Sequence, residues 1–166
     1  MVVFDASTLI LLSRIDLLDE FVARVHGGVA IPEEVRTEVL CGEREEMKTL
    51  ISSIEEQRIA VVKVKDSALT RKLMTDFSID AGEAEALSLA LGKNDAIVAT
   101  DDRNAIRACK ALKLEFITAI AVLVRSVEKG IIEKEEGLIK LQKLQSIGRY
   151  GKTIIEDARK LIQGGK

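Results

Sequence analysis

Two short apolar runs in this chain end in carboxylates, and that pairing restricts the fold more than any other feature. Residues 96–100, Ala-Ile-Val-Ala-Thr, stop at Asp101-Asp102, after which Ile106, Ala108, Ala111 and Leu112 recur at helical spacing. An apolar, β-branched run without polar alternation predicts a strand buried on both faces of a parallel sheet. The N-terminus has the same grammar. Val2-Val3-Phe4 predicts a strand, Asp5 ends it, and a helical pattern follows. In an open α/β sheet the ligand site lies outside the carboxyl ends of the strands. If the two strands are neighbours, Asp5 and Asp101-Asp102 meet there.

The chain is long enough for such a sheet. Its 166 residues are 47% hydrophobic, which suits a single α/β domain over residues 1–166 with a sizeable core. Aromatic residues are only 3% and Trp is missing, so Leu, Ile, Val and Ala must fill that core. A formal net charge of −2 excludes a global positive field, so a polyanion would need a local basic patch or a metal. Cys41 and Cys109 are too few for a secreted disulfide framework. With His26 they make at most three zinc ligands, at no zinc-site spacing. The opening residues lack a basic signal-peptide region, and Leu9–Leu12 is too short to span a bilayer. The expectation is a cytoplasmic protein with no membrane association.

Pattern and punctuation predict strands at 2–4, 29–31, 59–64, 96–100 and 115–117. Helices are expected at 7–25, 32–40, 43–57, 80–91, 103–112, 119–128, 133–144 and about 153–163, with a short one around 69–74. Pro32 suits a first helical position. Met47, Leu50, Ile51 and Ile54 form the inward side of the 43–57 helix, and the Ala- and Leu-rich 80–91 helix reads as buried nearly all round. Gly148–Gly151 is the loosest joint.

Each carboxylate has a structural reading beside a chemical one. Asp5 follows a buried strand, where a charge is costly unless paired, hydrogen-bonded or metal-bound, although it also suits a helix cap. Asp101 and Asp102 both fit the N-cap of the next helix, and capping needs one of them. Glu38 fits a solvated helix face. Asp80 and Glu83 have the spacing of a capping box. Taken together, carboxylates crowded at one sheet edge repel by about 4 kcal/mol per close pair at an effective dielectric near 20. They persist if protonated or bound to a cation, and an all-oxygen donor set selects magnesium or manganese over zinc. Such ions activate water and stabilise the leaving oxygen in phosphodiester hydrolysis. Ser7 and Thr100 add hydroxyls to orient these ligands. Arg103, Arg107 and Lys110 fall at helical spacing nearby, as phosphate contacts or as a solvated face. A dehalogenase-type phosphatase wants Asp-x-Asp after the first strand, and this chain has Asp5-Ala6-Ser7. A phospho-receiver wants its acidic pair there too, whereas Asp101-Asp102 follows a late strand.

Val2–Ser7, Pro32-Glu33-Glu34-Val35 with Glu38-Val39, Gly82-Glu83-Ala84-Glu85-Ala86, and Ala99-Thr100-Asp101-Asp102-Arg103 together resemble PIN-domain signatures, in order and in spacing. The later Val122-Leu123 to Gly130-Ile131-Ile132 segment is similar to a prokaryotic PIN-like subfamily. The resemblance covers most of residues 1–145. It implies a three-layer α/β fold with a central parallel sheet, and a Mg2+- or Mn2+-dependent endoribonuclease of the VapC toxin type acting on RNA. It implies an antitoxin protein as partner and a homodimer. It maps the catalytic set onto Asp5, Glu38, Glu83 and Asp102, and the metal set onto Asp5, Glu83, Asp101 and Asp102. Asn104 stands where many relatives place Asp, and Glu83 where the common form has Asp, which lowers the charge available to a second metal. The alternative reading is a catalytically weak PIN-like module that binds RNA or protein.

Overall fold

Strand β1 (Val2–Phe4) lies at the middle of the sheet, between β2 (Val29–Pro32) and β4 (Ile97–Ala99), and runs parallel to both. Strands β3 (Ile59–Val62) and β5 (Glu115–Ile117) complete the parallel order β3-β2-β1-β4-β5. The computed structural model describes residues 1–41 and 48–164. The chain moves outward from β1 to β3, then returns to the other side of β1 for β4 and β5. That reversal opens a crevice beyond the carboxyl ends of β1 and β4. Phe4 pairs with Ala99, and the Asp5 N–H donates to the Ala99 carbonyl at 3.1 Å. The two strand-end carboxylate segments are therefore neighbours.

Strand side chains alternate between two cores, as the period of two requires. Val2, Phe4, Val29, Ile31 and Ala99 join one, while Val3, Ala30 and Val98 join the other. The first core is covered by α1 (Ala6–Arg14), α2 (Leu18–Arg24), α8 (Ala119–Glu128), α9 (Lys134–Ile147) and α10 (Lys152–Gln163). Val35 and Val39 of α3 (Glu33–Leu40) and Leu50 of α4 (Lys48–Glu55) close its margin. The second core is covered by α5 (Ser67–Phe77), α6 (Ala81–Leu91) and α7 (Arg103–Leu112). Helices on both faces of a parallel sheet make the three-layer α/β fold. Aliphatic side chains do the filling: Leu9, Leu12, Leu87, Leu123 and Leu141 are fully buried, and truncating any one to Ala costs about 2–5 kcal/mol.

Several expected boundaries move. The helix expected over 7–25 is two helices, broken where Asp16 adopts the left-handed conformation at φ 52°. Asp tolerates that region better than most residues. Lys140 Nζ donates to the freed Ile15 and Asp16 carbonyls at 2.7 and 3.2 Å, and Ile15, Leu17 and Leu18 stay buried through the break. Pro32 ends β2 and caps α3 from outside instead of opening the helix. Strand β3 stops at Val62. The ambiguous stretch around 69–74 is a full helix, opened by Asp66, whose side chain accepts from the Leu69 N–H at 2.8 Å. Helix α9 runs on to Ile147. Of the helix expected at 43–57, residues 48–55 are helical; 43–47, including Met47, lie outside the described residues. No helix among the described residues is long and apolar enough to cross a membrane.

Candidate active site

Asp5 is the hub of the crevice. It is the N-cap of α1, its Oδ1 accepting from the Thr8 N–H at 2.8 Å, and Ser7 Oγ donates to Oδ2 at 3.2 Å. The residue is 1% exposed. Burial raises its carboxyl from 3.8 to about 6, against hydrogen bonds from Thr100 and Thr8 that pull it down, and the Asp101 charge adds to the rise. Thr100 Oγ1 accepts the Asp102 N–H at 3.2 Å, which leaves its own proton free for Asp5. Both hydroxyl residues picked from the sequence, Ser7 and Thr100, thus bear on this carboxylate.

The two carboxylates after β4 divide the work. Asp101 is spent on structure: Oδ2 accepts from Thr8 Oγ1 and the Ala119 N–H, both at 2.9 Å, and Oδ1 accepts from the Tyr150 hydroxyl at 2.6 Å. Asp102 caps α7 with Oδ1 alone, taking the N–H groups of Asn104 and Ala105 at 2.7 and 2.9 Å. Its Oδ2 takes no hydrogen bond among the described residues, and Asp102 lines the adjoining cleft. Capping and ligation are compatible in one side chain because they use different oxygens.

Glu38 and Glu83 arrive from the helices that flank this edge. Asp80 and Glu83 form the capping box of α6, with bonds of 2.8 and 3.1 Å. Glu83 uses Oε2 for that and keeps Oε1. Partial burial, then Asp80, Asp102 and Asp5, raise its carboxyl to about 7 despite the Asp80 N–H. Glu38 is also raised to about 7, by partial burial first and then by Asp80, Glu34 and Asp5. Its approach depends on Gly82, where a Cβ would lie 2.5 Å from Glu38 Oε1 and 3.3 Å from a Val35 methyl. Glu85 ties the same two helices by accepting the Glu34 N–H at 3.3 Å, and Ala84 and Ala86 are buried beneath. The Gly-Glu-Ala-Glu-Ala segment is a docking surface for α3 that also aims Glu83.

Asp5 and Asp102 are felt by Glu83, and Asp5 by Glu38, so the structure brings the four expected catalytic carboxylates into one electrostatic cluster. Among the described residues, no three Asp, Glu, His or Cys side chains converge on a common point as a ready-made metal centre. The donor set nevertheless suits a hard divalent cation in kind. All the donors are carboxylate oxygens, Asp5, Glu38 and Glu83 are driven toward neutrality without a counter-charge, and a bound cation relieves that repulsion. Asn104 is turned to other uses: Nδ2 donates to the Ser78 carbonyl at 3.0 Å and Oδ1 accepts from Arg107 at 3.2 Å. Lys110 sits over the Phe116 ring at 5.9 Å. Of the three cations singled out earlier, Arg103 lines the cleft beside the acidic residues. Cys41 is exposed and Cys109 buried, both as free thiols.

Tyr150, Thr8 and Arg149 escaped the sequence reading. Thr8 is one hydroxyl among many in a helix. Tyr150 had a signal, as the sole tyrosine of an aromatic-poor chain, set in the glycine-flanked joint between α9 and α10. A Cβ at Gly148 would strike its ring and lie 2.9 Å from the Leu144 carbonyl, so the glycine makes room for the tyrosine. Neither a curated protein nor a solved structure matches the chain significantly. A PIN-domain family model matches residues 1–163. That match spans the sheet, the crevice and every carboxylate described above, and the chain belongs to the PIN-domain family.

Proposed function

We propose that this protein is a magnesium- or manganese-dependent endoribonuclease that hydrolyses phosphodiester bonds of single-stranded RNA at the β1–β4 crevice. The PIN domain is a nuclease-type fold that typically uses divalent metals. The observation that carries the finer reading is the clustering of Asp5, Glu38, Glu83 and Asp102 there, with Asp5, Glu38 and Glu83 held well above their ordinary range. Asp5, Glu83 Oε1 and Asp102 Oδ2 are the oxygens best able to hold the cation, and Asp101 positions the elements around them. When bound, a divalent cation supplies a Lewis acid for the phosphoryl oxygens and a more acidic water. Glu38, with a proton affinity near neutrality, suits the role of accepting the proton of the attacking water. Arg103 and Arg149 stand beside the cleft to hold phosphates. The toxin half of a toxin–antitoxin pair is the setting implied by the family resemblance, and growth arrest by the wild type but not by Asp5→Asn would support it.

The direct test is cleavage of unstructured RNA with magnesium, manganese or EDTA. Cutting is expected with either metal and stops in EDTA. Asp5→Asn and Asp102→Asn each lower the rate by more than about a hundredfold. RNA that binds and stays intact with both metals would favour the non-catalytic binding module instead.

A further inference from the structure

Beside the acidic cluster lies a cleft of about 580 Å³, with Glu83 and Asp102 on one wall. Most of the remaining wall is apolar: Leu11 of α1, Ile106 of α7, Ile147 at the end of α9 and Ile154 of α10. Ile154 is 51% exposed, an apolar side chain left at the rim while the next residue, Ile155, is buried. Arg103 and Arg149 also line the cleft, and neither pairs with a carboxylate among the described residues. Hydrolysis of a phosphodiester needs carboxylates, a cation and water, and has no use for an apolar wall of this size. The volume falls within the roughly 300–1,000 Å³ of ligand clefts, and the make-up matches them, mostly apolar with a few fixed polar groups.

We propose that this cleft receives an unstacked nucleobase next to the scissile phosphate, with Arg103 and Arg149 on the phosphates to either side. The proposal rests on the ribonuclease reading above and adds to it what the enzyme grips. The charge order supports a nucleotide as occupant. Carboxylates for the cation, cations for phosphates and an apolar wall for a base lie side by side in one concavity. Bases in a duplex are stacked and paired and cannot enter, whereas single strands splay their bases onto such surfaces. An occupant of this kind makes the enzyme select single strands without any positive field over the whole protein.

The test compares fluorescein-labelled RNA octamers, oligo-A and oligo-U, with an octamer of abasic ribose phosphates carrying the same charge. Affinities are read by anisotropy in calcium, and cleavage in magnesium is followed separately. The base-bearing octamers should bind about tenfold tighter than the abasic one. Ile154→Gln, a neutral change at a half-exposed site, should cut that preference at least threefold and leave abasic binding unchanged; a thermal melt checks its fold. Arg149→Gln should weaken both kinds of octamer alike and lower the salt slope by about 1. Equal affinity for base-bearing and abasic octamers overturns the base pocket, as does a preference indifferent to Ile154→Gln. Metal-dependent cleavage alongside equal affinities sinks the base pocket alone. Base-dependent binding without cleavage in magnesium or manganese sinks the nuclease reading and leaves the cleft a base-binding site.

Discussion

The Tyr150 hydroxyl donates to Asp101 Oδ1 at 2.6 Å and so fastens the α9–α10 joint to the end of β4. The same carboxylate holds Thr8 of α1 and the N-terminus of α8. Burial and the Asp101 charge push the Tyr150 phenol far above its ordinary value, so it remains a donor at any working pH. Tyr150→Phe removes one charge-assisted hydrogen bond and little volume, a loss of about 1.5 kcal/mol. The expected outcome is a Tm lower by about 3–6 °C in differential scanning calorimetry. An unchanged Tm would show that the joint is held by packing of the ring against Gly148 alone.

Gly82 separates the geometry of the site from the stability of the fold. An alanine methyl there would meet Glu38 Oε1 at 2.5 Å, and that oxygen ends a flexible side chain able to swing away. Alanine also favours helix over glycine by up to about 1 kcal/mol, which offsets the tight contact with Val35. Gly82→Ala should therefore leave Tm within about 3 °C of the wild type while displacing the Glu38 carboxylate. RNA cleavage should fall to the level of Glu38→Gln, and combining the two changes should add nothing further. Additive losses in that pair would mean that Gly82 acts through some other group.

The sheet was legible because its strands are short, apolar and punctuated. Residues 2–4, 103–112, 115–117 and 119–128 have the expected bounds. The adjacency of β1 and β4, which makes a site of two distant Asp residues, was only a condition of the sequence reading, and the pairing of Phe4 with Ala99 supplies it. What failed depended on contacts between distant parts of the chain or on residues with two uses. The left-handed turn at Asp16 is a tertiary solution, stabilised by Lys140 from a helix more than 120 residues away. The dual use of Asp102 and Glu83 was not decidable from spacing, because a cap and a ligand call for the same residue types. The commitment of Asp101 to Thr8, Ala119 and Tyr150 joins four distant parts of the chain, and no window of sequence contains it. Arg149 became visible once the joint was seen to fold back beside the crevice.

The metal-free protein should lose stability as pH rises from 5 to 8. Asp5 is raised from 3.8 to about 6, mainly by burial. A raised acid favours the fold while protonated: its contribution is complete below the unfolded value near 4 and is lost as pH climbs through 6. For Asp5 the whole loss, counted from below pH 4, amounts to about 3 kcal/mol, of which about half falls between pH 5 and 8. Glu38 and Glu83, each raised to about 7, act in the same direction over pH 5–8 and are screened by their contact with water. Thermal melts in EDTA across this range should show the higher Tm at pH 5, and a flat or rising profile would contradict the burial of these charges.

Asp5→Asn should abolish cleavage and yet stabilise the metal-free protein at pH 8. At that pH the wild type holds an ionised Asp5 at 1% exposure, facing Asp101, Glu38 and Glu83. The amide removes the charge and keeps an oxygen for the Thr8 N–H, since Asn caps a helix about as well as Asp. Its Nδ2 meets Ser7 Oγ, a hydroxyl that turns to accept as readily as it donates. The expected gain in EDTA is about 1–3 kcal/mol at pH 8 and close to nothing at pH 4, where Asp5 is protonated in the folded protein. Excess magnesium reverses the order. A cation present at about a hundred times its dissociation constant stabilises the wild type by about 2.7 kcal/mol, and the variant, short of a ligand, gains far less. A buried helix cap at Asp5 predicts the gain in EDTA as well, since burial alone produces it, but it predicts no loss of the magnesium shift. Melts of both proteins in EDTA and in magnesium, at pH 4 and pH 8, decide between these accounts. A variant that melts below the wild type in EDTA at pH 8 contradicts the burial penalty on Asp5, and one that keeps the full magnesium shift removes Asp5 from the metal site.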